Sequence, residues 1–178
     1  GVSHNSKWAQ RDLAWNYIWG EIVPKDVPRG LQMLGASAAQ GLAWAEFDLA
    51  LEKKYGRFMK QDLNAYIVAM RRLAETSGLP EAWLEYGESL QEGVGTPKDA
   101  TAGTNWTLRA ADAGLDRAQL SIANSLKTSD PARAIAYARK AAEQGNVWAQ
   151  TMLGELLAQG KEAPANSPEA LKWLTLAS

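Results

Sequence analysis

Cysteine is absent from this sequence of 178 residues, and histidine occurs only once, at His4. A chain without cysteine forms no disulfide, has no thiol nucleophile and offers no thiolate to a metal. A chain with one histidine near its start also lacks the parts for a Ser/His/Asp or Cys/His catalytic set. The sequence therefore predicts a protein that is not an enzyme, has no catalytic residues, and holds neither a cofactor nor a metal.

The sequence also lacks an excess of charge and a long apolar run. Lys and Arg total 19 while Asp and Glu total 20, so the formal net charge is -1. This balance gives no electrostatic footprint for nucleic acid or an anionic membrane surface. No stretch approaches the roughly 18 consecutive apolar residues of a membrane-spanning helix. With 46% hydrophobic residues the chain can still bury a core.

The first residue is not methionine. Residues 1–4 (GVSH) read as a cloning scar, which implies that a native N-terminus was removed. A cleaved signal peptide and a chosen domain boundary would both explain this start. The compartment stays open on these grounds, with the bacterial periplasm favoured over the cytoplasm.

A repeat of about 36 residues runs along the chain. Its anchors are a degenerate Asn5 and then Gly41, Gly78, Gly114 and Gly145. An alanine stands four residues after each anchor (Ala9, Ala45, Ala82, Ala118, Ala149), and a small residue stands nine after it (Ala14, Ala50, Gly87, Ala123, Gly154). A further glycine stands fifteen residues after the anchor in every repeat except the fourth (Gly20, Gly56, Gly93, Gly160). Because two helices approach closely only where side chains are small, each unit is predicted to be a pair of packed helices.

The second helix of each unit is predicted to begin at a capping residue: Asp26, Asp62, Asp99, Asp130 and Asn166. A lone helix pair cannot bury its apolar face, whereas stacked pairs build one continuous core. The sequence therefore predicts an all-α, single-domain repeat protein over residues 5–178. Its units are expected near 5–40, 41–77, 78–113, 114–144 and 145–178.

Several strings resemble the Sel1-like repeat, a relative of the tetratricopeptide repeat. They are AWLEYG at 82–87, GVGTPKD at 93–99, AAEQG at 141–145 and WAQTMLG at 148–154, and VPKD at 23–26 looks like the same turn. The resemblance covers nearly the whole chain and implies a right-handed α/α solenoid. It also implies an adaptor that binds other proteins, since bacterial members include exported proteins, envelope assembly factors and partners of secretion machinery. Some bacterial members are cysteine-rich, and this chain departs from them.

The first helices of repeats one and two carry two apolar stripes. Ala9, Leu13 and Tyr17 are expected to face the core. The second stripe comprises Trp8, Arg11, Trp15, Ile18 and Trp19, and it continues as Trp44, Phe47, Leu51 and Tyr55. If tetratricopeptide geometry applies, this stripe lines the concave surface made by the first helices.

Tryptophan, tyrosine and arginine in a partly desolvated patch are typical of protein-binding hot spots. We therefore predict that a partner protein or peptide contacts Trp8, Arg11, Trp15, Trp19, Trp44, Phe47, Leu51 and Tyr55. At comparable places the later repeats carry mainly polar residues (Glu81, Glu88, Arg117, Asn124, Glu155), with Leu84 and Trp148 as apolar exceptions. Internal packing is the alternative for the second stripe, and Trp83 and Trp148 are expected to be half buried. The oligomeric state stays open.

Three functions remain in competition. The first is a non-enzymatic adaptor, of which an immunity protein against a secreted bacterial effector would be a subtype. The second is an envelope protein that binds glycan or peptidoglycan, with Trp8, Trp15 and Trp44 stacking on sugars and Asp12, Asn16 and Asp48 beside them. The third is a hydrolase built on a clustered acid pair, Asp12 and Asp48, and Glu85 stands in the same column, seven residues after the anchors. Those acids more often form a solvated or backbone-capping edge, because carboxylates are usually exposed.

Overall fold

The computed structural model describes residues 6–159 and 168–177, and these ranges contain ten helices and no strand. The helices are α1 (Lys7–Trp19), α2 (Val27–Ala39), α3 (Ala43–Tyr55), α4 (Leu63–Thr76), α5 (Pro80–Glu92), α6 (Ala100–Asp112), α7 (Asp116–Leu126), α8 (Pro131–Glu143), α9 (Val147–Ala158) and α10 (Pro168–Leu176). The predicted scar at 1–4, the anchor Asn5, Gly160 and the cap Asn166 lie outside the described residues.

The repeat sets where the helices begin. Each first helix (α1, α3, α5, α7 and α9) starts two residues after its anchor. The four anchor glycines all adopt positive φ, at 79° for Gly41, 72° for Gly78, 97° for Gly114 and 89° for Gly145. Only glycine takes this left-handed conformation without steric cost, so it reverses the chain between one helix and the next.

Aspartates cap the second helices as predicted. The side chains of Asp26, Asp62, Asp99 and Asp130 each accept a hydrogen bond from the backbone N–H three residues on, at 3.1, 2.9, 2.9 and 3.1 Å. Pro131 follows Asp130 at the first position of α8, where no backbone donor is needed. The short corner of the fourth repeat therefore keeps the register of the helix pairs.

The chain divides into two compact units. Among the described residues, the first comprises 6–82 with Glu92–Lys98, and the second comprises Trp83–Gln91 with 99–159 and 168–177. Within the first unit α1 packs on α2, α2 on α3, and α3 on α4. Within the second unit α6 packs on α7, α7 on α8, α8 on α9, and α9 on α10. Contact between sequence neighbours is what stacked helix pairs produce.

Small residues bring the helices of a pair together, as the repeat predicted. A Cβ atom at Gly30 of α2 would lie 2.6 Å from Ile18 Cγ1 and 2.7 Å from the carbonyl oxygen of Ala14. In the second unit, a Cβ at Gly103 of α6 would lie 2.5 Å from the carbonyl oxygen of Gly87 on α5. Such contacts leave room for a hydrogen atom and for nothing larger.

The predicted core stripe of α1 is wrong. Leu13 is 39% exposed, and Ala9 and Tyr17 are only half buried. The buried residues of α1 are Ala14 and Ile18, because these two meet Gly30 of α2. Leu13 precedes Ala14 by one residue and so points about 100° away from it around the helix.

In the second unit an ion pair also joins α8 to α10. Arg139 on α8 pairs with Glu169 on α10. The hydrogen bond from Arg139 holds the pKa of the Glu169 carboxyl below its usual value, against a smaller opposing effect of burial. This pair therefore favours the docked position of α10 wherever the carboxyl is ionised.

Candidate functional site

Four positions of each first helix share one face: the third, sixth, seventh and tenth residues after the anchor. We call this the first-helix face. Two pairs of first helices each lie within one unit, α1 with α3 and α7 with α9, and we compare this face between the two pairs. The residues are Trp8, Arg11, Asp12 and Trp15 on α1, with Trp44, Phe47, Asp48 and Leu51 on α3; and Arg117, Leu120, Ser121 and Asn124 on α7, with Trp148, Thr151, Met152 and Glu155 on α9.

In the α1/α3 pair the chain's own side chains fill this face. Asp48 accepts hydrogen bonds from Arg11 Nε at 2.6 Å, from Arg11 Nη2 at 3.2 Å and from Trp15 Nε1 at 3.0 Å. The Asp48 side chain is only 10% exposed. The guanidinium carbon of Arg11 lies 5.7 Å from the centre of the Trp44 ring. The bidentate ion pair between Arg11 and Asp48, which lies over the ring of Trp44, therefore fills the space between the two helices.

Aromatic contacts extend this cluster. The rings of Trp15 and Trp19 stack with centroids 6.4 Å apart, and Trp19 meets Phe58 edge to face at 5.0 Å. Trp44 and Phe47 also meet edge to face, at 5.7 Å. Sequence reasoning missed Phe58, which lies in the turn after α3 and belongs to no column of the repeat.

The predicted partner-binding residues differ in how much of their side chain is exposed to solvent. Trp8, Trp19 and Tyr55 are each about half exposed, whereas Phe47 is buried. Arg11, Trp15, Trp44 and Leu51 are partly buried. Ile18, expected in the same stripe, is fully buried and belongs to the core, so its assignment to the concave surface is wrong.

A second buried acid lies one turn beyond Asp48. Glu52 is fully buried, and its Oε1 accepts a hydrogen bond from Arg57. Among the residues that the structure describes, nothing donates to Oε2 of Glu52. Arg57 itself lies 5.5 Å from the ring centre of Tyr55 and 5.9 Å from that of Phe58. The repeat gives no signal for this ion pair, since no other unit has an acid in that column.

The column of acids does not form a common site. Asp12 is exposed, Asp48 is held by Arg11, and Glu85 is buried. The interpretation of this column as a solvated edge is therefore wrong for Asp48 and Glu85. Over residues 6–159 and 168–177, no three histidine, cysteine, aspartate or glutamate side chains group so as to hold a metal ion.

In the α7/α9 pair the same face is open. A groove of about 510 Å³ runs between the two helices, and all eight residues of the face line it. Trp148 is 78% exposed there, so the expectation that it is half buried is wrong. Trp83, with the same expectation, is buried and lies under the guanidinium of Arg109 at 4.1 Å.

The two helices that border this groove are parallel. Asn146, which caps α9, donates from Nδ2 to Asp116 Oδ2 at the start of α7, at 2.7 Å. Arg117 and Trp148 therefore share one end of the groove, and Asn124 and Glu155 share the other. A smaller cleft of about 230 Å³ continues past Met152 and Glu155 towards Lys127.

The polar groups of the α7/α9 groove are not used internally. Within the described part of the chain, the side chains of Arg117, Ser121, Asn124 and Glu155 make no hydrogen bond or ion pair. In the α1/α3 pair, by contrast, the charged side chains of Arg11 and Asp48 are tied to each other. The α7/α9 groove thus combines an exposed indole, an apolar floor and polar groups that have no hydrogen-bond partner within the described residues. This combination is typical of a recognition site.

No helix within the described ranges is long and apolar enough to cross a membrane. A comparison with curated proteins found no match.

Comparison with protein families and solved structures identifies the repeat. The family model of the Sel1 repeat matches residues 9–42, 67–115, 124–146 and 149–178. A Sel1 repeat protein from Oxalobacter formigenes is 28% identical, with a TM-score of 0.87 over 97% of this chain and 72% of that one. A protective antigen of uropathogenic Escherichia coli with an SLR fold is also 28% identical, with a TM-score of 0.85 over 99% of this chain and 38% of that one.

A more distant likeness concerns the fold alone. An immunity protein from Pseudomonas aeruginosa is 20% identical, with a TM-score of 0.58 over 94% of this chain and 61% of that one. The predicted fold class, an all-helical solenoid of Sel1-like repeats, is confirmed by the helices and by the two closer structural matches. Because the family model covers most of the sequence in four segments, this chain belongs to the Sel1 repeat family.

Proposed function

We propose that this protein is a non-enzymatic adaptor that binds a segment of a partner protein on its first-helix face, with the α7/α9 groove as the main site. The observation that carries the proposal is an open groove whose most exposed wall is Trp148 and whose polar side chains have no internal partner. Sel1 repeats typically mediate protein–protein interactions, and the repeat occupies most of this chain.

Trp148 supplies the binding energy in this proposal. An indole that is 78% exposed still has most of its apolar surface to bury. Burying a large apolar side chain contributes about 1.5–3 kcal/mol. The floor made by Leu120 and Met152 lets an apolar side chain of the partner pack beside the indole, while the groove's polar groups set the register.

The α1/α3 face is proposed as a second contact region. There Trp8, Trp19 and Tyr55 keep about half of their surface in solvent. The Arg11–Asp48 pair joins α1 to α3, and the ring of Trp19 is held by contacts with Trp15 and Phe58. Rigid aromatic side chains lose little conformational entropy when a partner binds.

The test begins with a selection of displayed peptides or protein fragments on the immobilised wild-type protein. Binders are then titrated against Trp148→Ala and, as a matched control from the α1/α3 pair, Trp8→Ala. Loss of a hot-spot tryptophan weakens binding by roughly thirtyfold or more. Trp148 is 78% exposed, so Trp148→Ala is expected to stay within about 0.5 kcal/mol of wild type, whereas Trp8 is half buried and Trp8→Ala should cost about 1–2 kcal/mol while remaining folded.

Three outcomes are informative. A binder lost in Trp148→Ala and kept in Trp8→Ala supports the α7/α9 groove. The reverse pattern moves the main site to the α1/α3 face. Binding that survives both substitutions removes the first-helix face from the proposal and directs attention to the second helices.

An immunity protein against a secreted effector is a subtype of this proposal. The Pseudomonas aeruginosa immunity protein supports the scaffold only, because at 20% identity it shares the fold and nothing finer. Effector fragments included in the selection test this subtype directly.

Glycan binding is the second candidate. The α7/α9 groove offers a flat indole at Trp148 with an amide at Asn124 and a carboxylate at Glu155, which are groups that also recognise sugars. Titration of cell-wall oligosaccharides, followed by tryptophan fluorescence in wild type and Trp148→Ala, separates the two. A saturable change that disappears with Trp148 favours glycan, and a flat response removes it.

A further inference from the structure

We infer that the α7/α9 groove takes an extended peptide segment carrying an acidic side chain and a basic side chain four residues apart, with an apolar side chain midway between them. This inference rests on the proposed function and adds the chemistry of the partner. It is drawn from the distribution of charge along the groove.

The groove is polarised along its length. Arg117 stands at the end where α7 and α9 begin, and Glu155 stands near the end where they finish. Both side chains are exposed, and within the described residues neither has an ion-pair partner. Because α7 and α9 are parallel, the dipoles of both helices add to this polarity, positive at the Arg117 end and negative at the Glu155 end. The complementary ligand is acidic at the first end and basic at the second.

The half-buried floor of the groove favours an extended chain. A helix with its side chains is about 10–12 Å across, so the axis of a partner helix would stay about 5–6 Å above the side chains of Ser121 and Met152 on the floor. An extended chain comes closer and places alternate side chains towards the floor.

The length of the groove sets the spacing of the charges. Arg117 and Asn124 are seven residues apart on α7, which corresponds to about 10 Å along a helix. Asn124 is the α7 counterpart of Glu155 on α9, so Arg117 and Glu155 are separated by about the same distance along the groove, to which the width of the groove adds. An extended chain spans about 13 Å between residues i and i+4, and this is the shortest spacing that places two charges and a middle side chain on one face. The apolar side chain between them lies against Trp148, Leu120 and Met152.

The α1/α3 pair shows how the chain itself can cover the same face. There the guanidinium of Arg11 is held by the carboxylate of Asp48 above the ring of Trp44. Trp44 occupies the same column as Trp148 in the α7/α9 pair. In α7 and α9 the columns of Arg11 and Asp48 hold Leu120 and Met152, so the chain supplies no ion pair there and the indole of Trp148 is left uncovered.

The experiment uses four short peptides with blocked termini and a common central leucine, which differ only in the two flanking charged positions: acid and base, acid and acid, base and base, or two glutamines. They are titrated against wild type, Arg117→Glu, Glu155→Lys and the double variant. Wild type should bind the acid and base peptide most tightly. Arg117→Glu should shift the preference to base and base, and Glu155→Lys to acid and acid. Each shift is expected to be roughly threefold to tenfold, as for ion pairs in a partly exposed groove.

The double variant is the decisive arm, because reversing both charges should restore the preference for the acid and base peptide, bound in the opposite orientation. The matched controls are Lys140→Glu and Glu143→Lys on α8, which are exposed and do not line the groove. They should leave all four affinities unchanged. A charge reversal at Lys127, in the adjoining cleft, should alter affinity less than either groove variant.

The outcomes separate this inference from the proposed function. Crossed preferences with rescue in the double variant support it. Equal binding of all four peptides to every variant, with loss in Trp148→Ala, overturns the charge inference and leaves the proposed function standing. If wild type binds none of the four peptides and the selection also yields no binder that depends on Trp148, both are overturned.

Discussion

The ion pair between Arg11 and Asp48 gives the sharpest prediction for the structure. Asp48→Ala removes the carboxylate that accepts three hydrogen bonds, two from Arg11 and one from Trp15. The Arg11 guanidinium and the Trp15 N–H then lose their acceptor. Asp12→Ala is the matched control, because Asp12 occupies the same column of the repeat on α1 but is exposed.

The magnitude follows from the burial of the two partners. Removal of one member of a buried ion pair typically costs about 3–5 kcal/mol. The Asp48 side chain is 10% exposed and that of Arg11 is 23% exposed, so water can solvate part of the stranded guanidinium. We therefore expect Asp48→Ala to lower the free energy of unfolding by about 2–3 kcal/mol. For a chain of this size that corresponds to roughly 4–12 °C in Tm. Asp12→Ala should stay within about 0.5 kcal/mol.

The assay is urea unfolding followed by tryptophan fluorescence, supported by thermal melts. Trp15, Trp19 and Trp44 all lie in this cluster, so the signal reports on the α1/α3 region. A double-mutant cycle with Arg11→Met and Asp48→Leu isolates the coupling, and the double variant should be more stable than the sum of the single losses implies. A cost below about 0.5 kcal/mol for Asp48→Ala, or a cycle without coupling, would refute the reasoning.

Two further predictions concern packing and the second buried acid. Gly103→Ala should destabilise by about 1–3 kcal/mol, because its Cβ would lie 2.5 Å from the carbonyl oxygen of Gly87, whereas Gly35→Ala meets nothing within 4 Å and should stabilise by about 0.5–1 kcal/mol. Urea unfolding of both variants checks the opposite signs, and shifts of the same sign would contradict the packing argument. Arg57→Met should cost about 2–4 kcal/mol because Glu52 is fully buried and loses its partner, and Arg57→Met with Glu52→Leu should recover most of that loss. Thermal melts decide this case, and a double variant no more stable than Arg57→Met would show that the charge of Glu52 is not the source of the loss.

The sequence by itself determined the helices and their order. Asp26, Asp62, Asp99 and Asp130 cap α2, α4, α6 and α8 as predicted, because a cap is a contact between residues three apart and needs no tertiary information. The anchor glycines mark the turns for the same local reason. The period of the repeat then led to stacked helix pairs, since neither helix of a pair can bury its apolar face alone.

Only the tertiary structure decided which face of α1 is buried. Two stripes of similar hydrophobicity run along this helix, and pattern alone does not rank them. The close approach of Gly30 to Ala14 and Ile18 turns these two residues inward and leaves Leu13 in solvent. That contact depends on the shape of α2, which lies outside the local sequence of α1.

The tertiary structure also decided which part of the first-helix face is open. The sequence pointed to this face and to its aromatic N-terminal end. The structure shows that Arg11 and Asp48 close the α1/α3 pair, and that an open groove lies between α7 and α9 beside Trp148. A groove is the volume that side chains from two helices leave unfilled, so it depends on residues that are distant in the sequence. The residue at each position of the repeat can be read from the sequence, but the space that two neighbouring helices leave between their side chains cannot.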